Sequence, residues 1–149
     1  MTRADGVPGP GRVLGIDPGE RRVGVALSDP LGIIASPFAV LDRRSGDFLG
    51  ELKTILVDHE VTRVVVGLPV SLSGEEGRAA RRARELGETV AREMQVPVEF
   101  HDERFTTVLA ESALLEADMR RDARRAVRDK VAAAVILQSW LDARRREQP

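Results

Sequence analysis

Residues 12–29 read RVLGIDPGERRVGVALSD, and this stretch decides the fold. Two short apolar segments, Arg12–Ile16 and Val23–Leu27, flank the turn signal Asp17-Pro-Gly-Glu20. Apolar runs of this length, separated by Pro and Gly, predict two strands joined as an antiparallel hairpin. Asp17 therefore lies where the first strand ends and the turn begins.

Downstream of this hairpin the sequence alternates between strand and helix patterns. The pattern predicts a third strand within Ile33–Leu41 that Pro37 bends or shortens, followed by a helix over 47–60 and a buried strand over Arg63–Leu68. Next come a helix carrying Ala79, Ala83, Leu86, Val90 and Met94 and a strand over Pro97–His101. Two helices end the chain, one from Thr106 or Thr107 to about Glu116 and one from about Arg124 to Arg144. Strand-helix-strand units require parallel pairing with right-handed crossovers. The order therefore predicts an α/β fold with a mixed five-stranded sheet, three antiparallel strands followed by two parallel ones, and helices on both faces.

Length and composition predict one domain. The chain has 149 residues and 42% of them are hydrophobic, which suits one ordinary core. We expect a flexible leader over 1–11, a domain over 12–145 and a flexible tail over 146–149. No apolar run approaches the roughly 20 residues that span a bilayer, and the N-terminus has no apolar signal region. The chain has no Cys, which excludes disulfides and thiolate metal sites. We expect a cytoplasmic protein with no membrane partner.

The charge distribution says more than the net charge. The formal net charge is −1, whereas nucleic-acid binders are usually basic. Arginines nevertheless cluster, first at Arg78, Arg81, Arg82 and Arg84, and then at Arg120, Arg121, Arg124, Arg125 and Arg128. Guanidinium groups bind phosphate oxygens in bidentate fashion. Solvated helix faces explain the two clusters equally well.

Acidic residues at three places along the chain are candidates for chemistry. Asp17 follows the first strand, Asp102 and Glu103 follow the fifth strand, and Asp129 precedes the apolar segment 131–137. Each has an ordinary structural explanation when taken alone. Asp17 suits a turn, the second pair suits a helix N-terminus, and Asp129 suits an ion pair with Lys130 or an arginine.

Taken together, the three acids favour a metal site. Carboxylates that converge repel one another unless a proton or a cation lies between them. Because the chain has no Cys and only two histidines, His59 and His101, oxygen ligands would dominate, and these select Mg²⁺ or Mn²⁺ over zinc. Such ions activate water and stabilise a leaving oxygen in phosphodiester cleavage. His101 beside the acids is either a proton shuttle or a strand residue with a hydrogen-bond partner.

The loop after the fourth strand is a weaker candidate. Gly67 to Gly74 lies between a buried strand and a helix, where backbone N–H groups can meet a phosphate, and Ser71 and Ser73 add hydroxyl donors. The loop has no Gly-Lys-Ser/Thr and is not a P-loop. An ordinary connecting loop explains the sequence equally well.

Four of these motifs, in this order, resemble the YqgF/RuvX family. They are Gly15-Ile-Asp17-Pro-Gly19 with Val23–Asp29, the Val66-Gly-Leu-Pro69…Gly74 loop, Asp102-Glu-Arg-Phe-Thr-Thr107, and the segment Asp129–Asp142. The resemblance covers about residues 11–143. The loop departs from the family's usual polar, Asn-containing form at Val70-Ser-Leu-Ser73.

The resemblance implies a ribonuclease H-like fold related to the RuvC resolvases and a cytoplasmic nuclease. It implies maturation of the 5′ end of pre-16S ribosomal RNA, or alternatively resolution of four-way DNA junctions. It implies metal ligation and catalysis by Asp17, Glu103 and Asp129, with Asp102 as a further candidate. We expect structured RNA or branched DNA as the partner, and a monomer or a homodimer.

Two other function classes remain open at this point. A nucleic-acid-binding module with little catalysis would explain the near-neutral charge and the presence of three clear acids rather than four. A phosphotransferase of the sugar-kinase or actin type also begins with an acidic hairpin, but it requires two such domains, and 149 residues supply one.

Overall fold

A computed structural model describes residues 11–70, 74–103 and 121–147, and for residues 121–126 it describes the backbone. The described elements, in chain order, are β1 (Arg12–Pro18), β2 (Arg22–Ser28), β3 (Ala35–Asp42), α1 (Phe48–Asp58), β4 (Val61–Leu68), α2 (Arg78–Met94), β5 (Val98–Asp102) and α3 (Arg121–Glu147). These bounds confirm the predicted elements to within three residues at each end. The helix predicted from Thr106 or Thr107 to Glu116 lies outside the described residues, as does most of the predicted leader.

The five strands form one mixed sheet in the order β3-β2-β1-β4-β5. The pairs β1/β2 and β2/β3 are antiparallel, and the pairs β1/β4 and β4/β5 are parallel. The predicted α/β sheet of three antiparallel strands followed by two parallel ones is confirmed. Because β1, β4 and β5 run in the same direction, their carboxyl ends meet at one edge of the sheet, which we call the carboxyl edge.

Helices α1 and α2 cover one face of the sheet with a branched aliphatic core. The buried strand residues on this face are Leu14, Ile16, Val23, Val25, Leu27, Leu41, Val64, Val66 and Leu68, and they pack against Phe48, Leu52, Leu56, Ala80, Ala83, Leu86 and Val90 of the two helices. Strand side chains alternate between the two faces, so each central strand contributes every second residue here.

Among the described elements, helix α3 covers the other face, and the contact there is close. Its buried residues Ala133, Ala134, Ile136, Leu137, Trp140 and Leu141 pack on Val13, Ala26 and Val65. Small strand residues allow this approach. A Cβ at Gly15 would lie 2.7 Å from the Cβ of Leu137, so the helix lies almost directly on the backbone of β1. Trp140 and Leu141 are both buried in this core.

The edge strand β3 accommodates Pro37 through a bulge. Val25 pairs with Ala39 and Ala26 pairs with Pro37, so Phe38 is the extra residue on β3. An edge strand tolerates a missing backbone donor, which explains why the strand continues through the proline. In the described residues, no helix is long and apolar enough to cross a membrane.

Candidate active site

The carboxyl edge carries two of the three predicted acids on the face that α3 covers. Along β1, Val13, Gly15 and Asp17 alternate toward α3, and Asp17 is half-buried near the end of the strand. Glu103 follows β5 directly and lies two residues after His101, so both side chains are on the face that α3 covers. The strand alternation that fixes the core therefore also directs Asp17 toward the long helix.

Helix α3 brings the third acid to β2 and β1. Gly24 pairs with Asp17 across the β1/β2 ladder. A Cβ at Gly24 would overlap the carbonyl oxygen of Asp129, so the absence of a side chain lets the helix backbone lie against β2 at this point. Asp129 is half-buried there, beside the strand pair that carries Asp17.

A second glycine makes room for Glu103. Gly67 lies on β4, between β1 and β5, and pairs with His101. A Cβ at Gly67 would lie 2.5 Å from Glu103 Oε1 and 2.6 Å from Ile136 Cδ1. The Glu103 carboxyl group therefore extends over the backbone of β4 toward β1. Sequence reasoning treated Gly67 only as part of a phosphate loop and did not single out Gly24. Both glycines occupy strand positions that alternate toward α3, and this alternation could have identified them from the sequence.

The charges of the acids act on one another. Burial and, to a smaller extent, the charge of Asp129 raise the pKa of Asp17 to about 6, and the charge of Arg128 opposes this shift. Burial is also the largest cause that raises the pKa of Glu103 to about 7, and the charges of Asp17 and Asp102 contribute the rest of the rise. Asp17 therefore interacts with both of the other acids, and the site favours protons or a cation over bare negative charge.

The donor set fits a hard divalent cation. Carboxylate oxygens predominate, and Mg²⁺ and Mn²⁺ prefer such ligands. Within ranges 11–70, 74–103 and 121–147, no three acidic, histidine or cysteine side chains already form a group that could hold a metal. The acids approach in pairs, with Asp17 common to both. An ion here would complete its coordination with water or substrate oxygens, as Mg²⁺ usually does.

The structure gives His101 a hydrogen-bond partner away from Asp129. Its Nε2 atom lies 2.9 Å from Ser139 Oγ, and burial lowers the pKa of the imidazole. Ser139 follows Asp129 by ten residues in α3, a rise of about 15 Å along a helix. Asp102 lies at the end of β5, where its charge acts on Glu103 and on His101.

The remaining sequence candidates are only partly described. Ser71 and Ser73 of the predicted phosphate loop lie outside the described residues. In the first arginine cluster, Arg84 makes a bidentate ion pair with Glu76 and lies over the Phe100 ring at 5.1 Å. In the second cluster, Arg128 is the member with a described side chain, and it lies close enough to Asp17 to lower its pKa.

A family model and curated relatives match nearly the whole chain. The model described as "RuvX: Holliday junction resolvase" matches residues 11–143. A relative from Myxococcus xanthus is 47% identical over 136 residues, covering 90% of this chain and 89% of its own. A relative from Mycobacterium tuberculosis is 48% identical over 139 residues, covering 92% of this chain and 82% of its own. Both are provisionally named pre-16S rRNA nucleases.

Solved structures share the fold at low sequence identity. Thermus thermophilus RuvC in complex with a Holliday junction substrate matches with a TM-score of 0.54 and 18% identity, covering 90% of this chain and 96% of that chain. A second Thermus thermophilus RuvC structure matches with a TM-score of 0.50 and 16% identity, covering 91% of this chain and 96% of that chain. The predicted ribonuclease H-like fold, which RuvC shares, is confirmed.

Proposed function

The chain belongs to the RuvX family, and we propose that it is a metal-dependent nuclease that matures the 5′ end of pre-16S ribosomal RNA. One observation carries the proposal. Asp17 interacts with both Asp129 and Glu103, and burial together with this repulsion raises the pKa values of Asp17 and Glu103 toward neutrality. The proposed substrate implies a cytoplasmic protein.

The three acids are the proposed metal ligands and catalytic residues. Asp17, Glu103 and Asp129 would hold Mg²⁺ or Mn²⁺, which, when bound, lowers the pKa of a water molecule and stabilises the oxygen that leaves phosphorus. The protein contributes a preorganised set of carboxylates on two strands of a rigid sheet and one buried helix. Since Asp17 and Glu103 must lose their protons to bind a cation, metal affinity should rise with pH between about 6 and 8.

Arg128 and Asp102 have supporting roles in this proposal. Arg128 partly offsets the negative charge around Asp17, which keeps that carboxylate available as a ligand. The charge of Asp102 raises the pKa of Glu103. His101 hydrogen-bonds with Ser139, so we assign it to positioning β5 against α3 rather than to proton transfer.

Four-way DNA is the second candidate substrate, because the matching family model is described as a Holliday junction resolvase. RNA and DNA offer the same phosphodiester to the acids, so the reaction is common to both. A junction resolvase makes two symmetric cuts and is expected to be a two-fold dimer, whereas one cut in an RNA precursor requires only a monomer. The mass of the protein in solution, with and without each substrate, therefore bears on the choice.

The test is a cleavage assay with both substrates. A precursor fragment spanning the 5′ end of 16S rRNA and a synthetic four-way junction are incubated with Mg²⁺, with Mn²⁺ or with EDTA. We expect metal-dependent cleavage of the RNA, and a loss of more than about 100-fold in rate for Asp17→Asn, because losing even an outer partner of a metal ligand costs 10–100-fold. Glu103→Gln and Asp129→Asn should act in the same direction.

Asp58→Asn is the matched control. Asp58 is an exposed acid at the end of α1, and it lies at the edge of the sheet opposite the site. It should cleave as the wild type does. Full cleavage by a pure Asp17→Asn preparation would eliminate the proposed mechanism. Tight RNA binding without product in any metal would instead identify a binding module, and preferential cleavage of the junction would favour the second candidate.

A further inference from the structure

Six arginines from three segments lie around the carboxyl edge of the sheet. We call this set the arginine ridge. It consists of Arg21 and Arg22 at the β1–β2 turn, Arg43 and Arg44 directly after β3, and Arg81 and Arg82 in the first two turns of α2. Residues 21, 22, 44 and 81 are exposed, and Arg43 and Arg82 are half-buried.

Arg43 connects the three segments. Its Nη1 donates to the carbonyl oxygen of Gly19 at 3.2 Å, and its Nη2 donates to the carbonyl oxygen of Arg82 at 3.3 Å. Its backbone N–H donates to the carbonyl oxygen of Arg21 at 2.7 Å. The turn, the end of β3 and the start of α2 are therefore held at fixed positions relative to one another.

This arrangement keeps like charges close together. Burial lowers the pKa of Arg43, and the nearby charge of Arg82 lowers it further, while Glu85 opposes the shift. Among the described residues, no carboxylate oxygen lies within 4.0 Å of a guanidinium nitrogen of the ridge. Glu20 and Asp42 lie at the same edge, and the Asp42 carboxylate accepts a backbone N–H from residue 44. The ridge therefore retains excess positive charge.

Several other arginines of the chain differ, because the protein itself supplies their partners. Arg84 pairs with Glu76, Arg63 pairs with Glu99, and Arg145 pairs with Asp142. Arg144 lies 5.1 Å from the Trp140 ring. Folding therefore accounts for the three ion-paired arginines and for Arg43, but no described side-chain hydrogen bond or ion pair accounts for the other five arginines of the ridge.

The position of the ridge suggests what it binds. Gly19, which accepts from Arg43, follows Asp17 by two residues in the turn that leaves β1. The acids around Asp17 repel a polyanion, and the net charge of −1 provides no long-range attraction to offset that repulsion. A local cluster of guanidinium groups provides it, since these groups bind phosphate oxygens in bidentate fashion.

We propose that the arginine ridge is a docking surface for the sugar-phosphate backbone of the nucleic acid, beside the phosphodiester that is cut. The inference rests on the proposed nuclease function and extends it to how the substrate is held. The strand crosses the carboxyl edge from the α2 side, where the ridge binds its phosphates, to the α3 side, where the acids lie. Such contacts position the substrate and do not read its sequence.

The test measures binding without cleavage. The wild-type protein, Arg81→Gln/Arg82→Gln and the control Arg92→Gln are titrated against a fluorescein-labelled RNA hairpin in EDTA over a series of NaCl concentrations. Arg92 is an exposed arginine on the same helix, about three turns from residue 81. We expect the double variant to bind about 10-fold more weakly and the salt slope to decrease by about 1.4–1.8, which corresponds to two lost phosphate contacts. The control should match the wild type.

A second variant keeps the proposal testable if the first fails to fold. Arg21→Gln/Arg22→Gln changes exposed side chains that make no described side-chain contact, and it should reduce affinity and salt slope in the same way. Unchanged affinity and slope in folded double variants would overturn the docking surface. The nuclease proposal would survive that result if Asp17→Asn still abolished cleavage. Conversely, weakened binding by the ridge variants would stand even if no metal supported cleavage.

Discussion

The two faces of the sheet are built differently although the same strands supply both. The face under α1 and α2 carries Leu, Ile and Val at almost every inward position. The face under α3 carries Gly15, Gly24 and Gly67 together with alanines, and it also carries Asp17. Large side chains bury more apolar area and stabilise the fold. Small ones allow a helix backbone to come close enough to place a carboxylate beside a strand.

The difference suggests a division between stability and chemistry. A substitution on the α1/α2 face should change the free energy of unfolding and leave the acids where they are. A substitution on the α3 face should disturb the acids even when its cost in stability is smaller. The following predictions test this division, in order of decreasing effect on stability.

The largest effect is expected on the aliphatic face. Leu52 of α1 is fully buried in that core. Leu52→Ala should reduce the free energy of unfolding by about 2–5 kcal/mol, because the substitution loses apolar burial and leaves a cavity. Urea titration measures this cost. Cleavage assayed well below the melting temperature should match the wild type, and a large loss of activity in the folded variant would contradict the division.

A smaller cost with a larger functional effect is expected at Gly24. A Cβ there overlaps the carbonyl oxygen of Asp129, so Gly24→Ala must push α3 away from β2. We expect a loss of about 1–3 kcal/mol, typical of overpacking, and a loss of cleavage of more than about 10-fold because Asp129 moves. Gly46→Ala is the control, since a Cβ there meets nothing within 4 Å. Equal activity in the two variants would show that the close approach at Gly24 is not needed.

The acids themselves should make the metal-free protein less stable at higher pH. The folded pKa of Asp17, about 6, exceeds its ordinary value of 3.8, so the folded state binds more protons between these values and stability falls as pH rises through them. Asp17→Asn removes this penalty. In EDTA, the free energy of unfolding of the variant should equal that of the wild type at low pH and exceed it by about 1–3 kcal/mol at pH 8. A difference that does not change with pH would contradict the raised pKa, and added Mg²⁺ should shrink it.

The smallest effect is expected at His101. The side chain hydrogen-bonds with Ser139, so His101→Ala should cost about 0.5–1.5 kcal/mol, the usual value of one such bond. Ser139→Ala should cost a similar amount, and the two losses should not add in the double variant. Cleavage should persist in all three. If His101→Ala cleaves more slowly while Ser139→Ala keeps the wild-type rate, His101 takes part in proton transfer.

Cavity size is a poor guide to the site in this molecule. A cavity of about 870 Å³ lies at the opposite edge of the sheet, lined among others by Leu56, His59 and Met94. None of the three proposed catalytic acids lines it. The candidate site was found instead from acids at strand ends and from the shared direction of β1, β4 and β5.

Much of the fold could be predicted because its signals are local. The turn at Asp17-Pro-Gly-Glu20 separates β1 from β2, and the β-branched run before Leu68 marks a central strand. The placement of Asp17 and Glu103 at strand ends followed from the same signals together with the parallel pairing. The bulge at Phe38 was not predicted, because it depends on how β2 and β3 align across the ladder.

The sequence by itself determined the alternation of strands and helices, and with it the edge of the sheet at which the acids emerge, because hydrophobic periodicity and turn residues act over short distances. Only the tertiary structure decided how near α3 comes to the sheet and which arginines gather at its carboxyl edge. Those outcomes depend on packing between segments that are far apart in the chain. Gly24 meets Asp129 across 105 residues and Arg43 meets Arg82 across 39, and no local pattern encodes either contact.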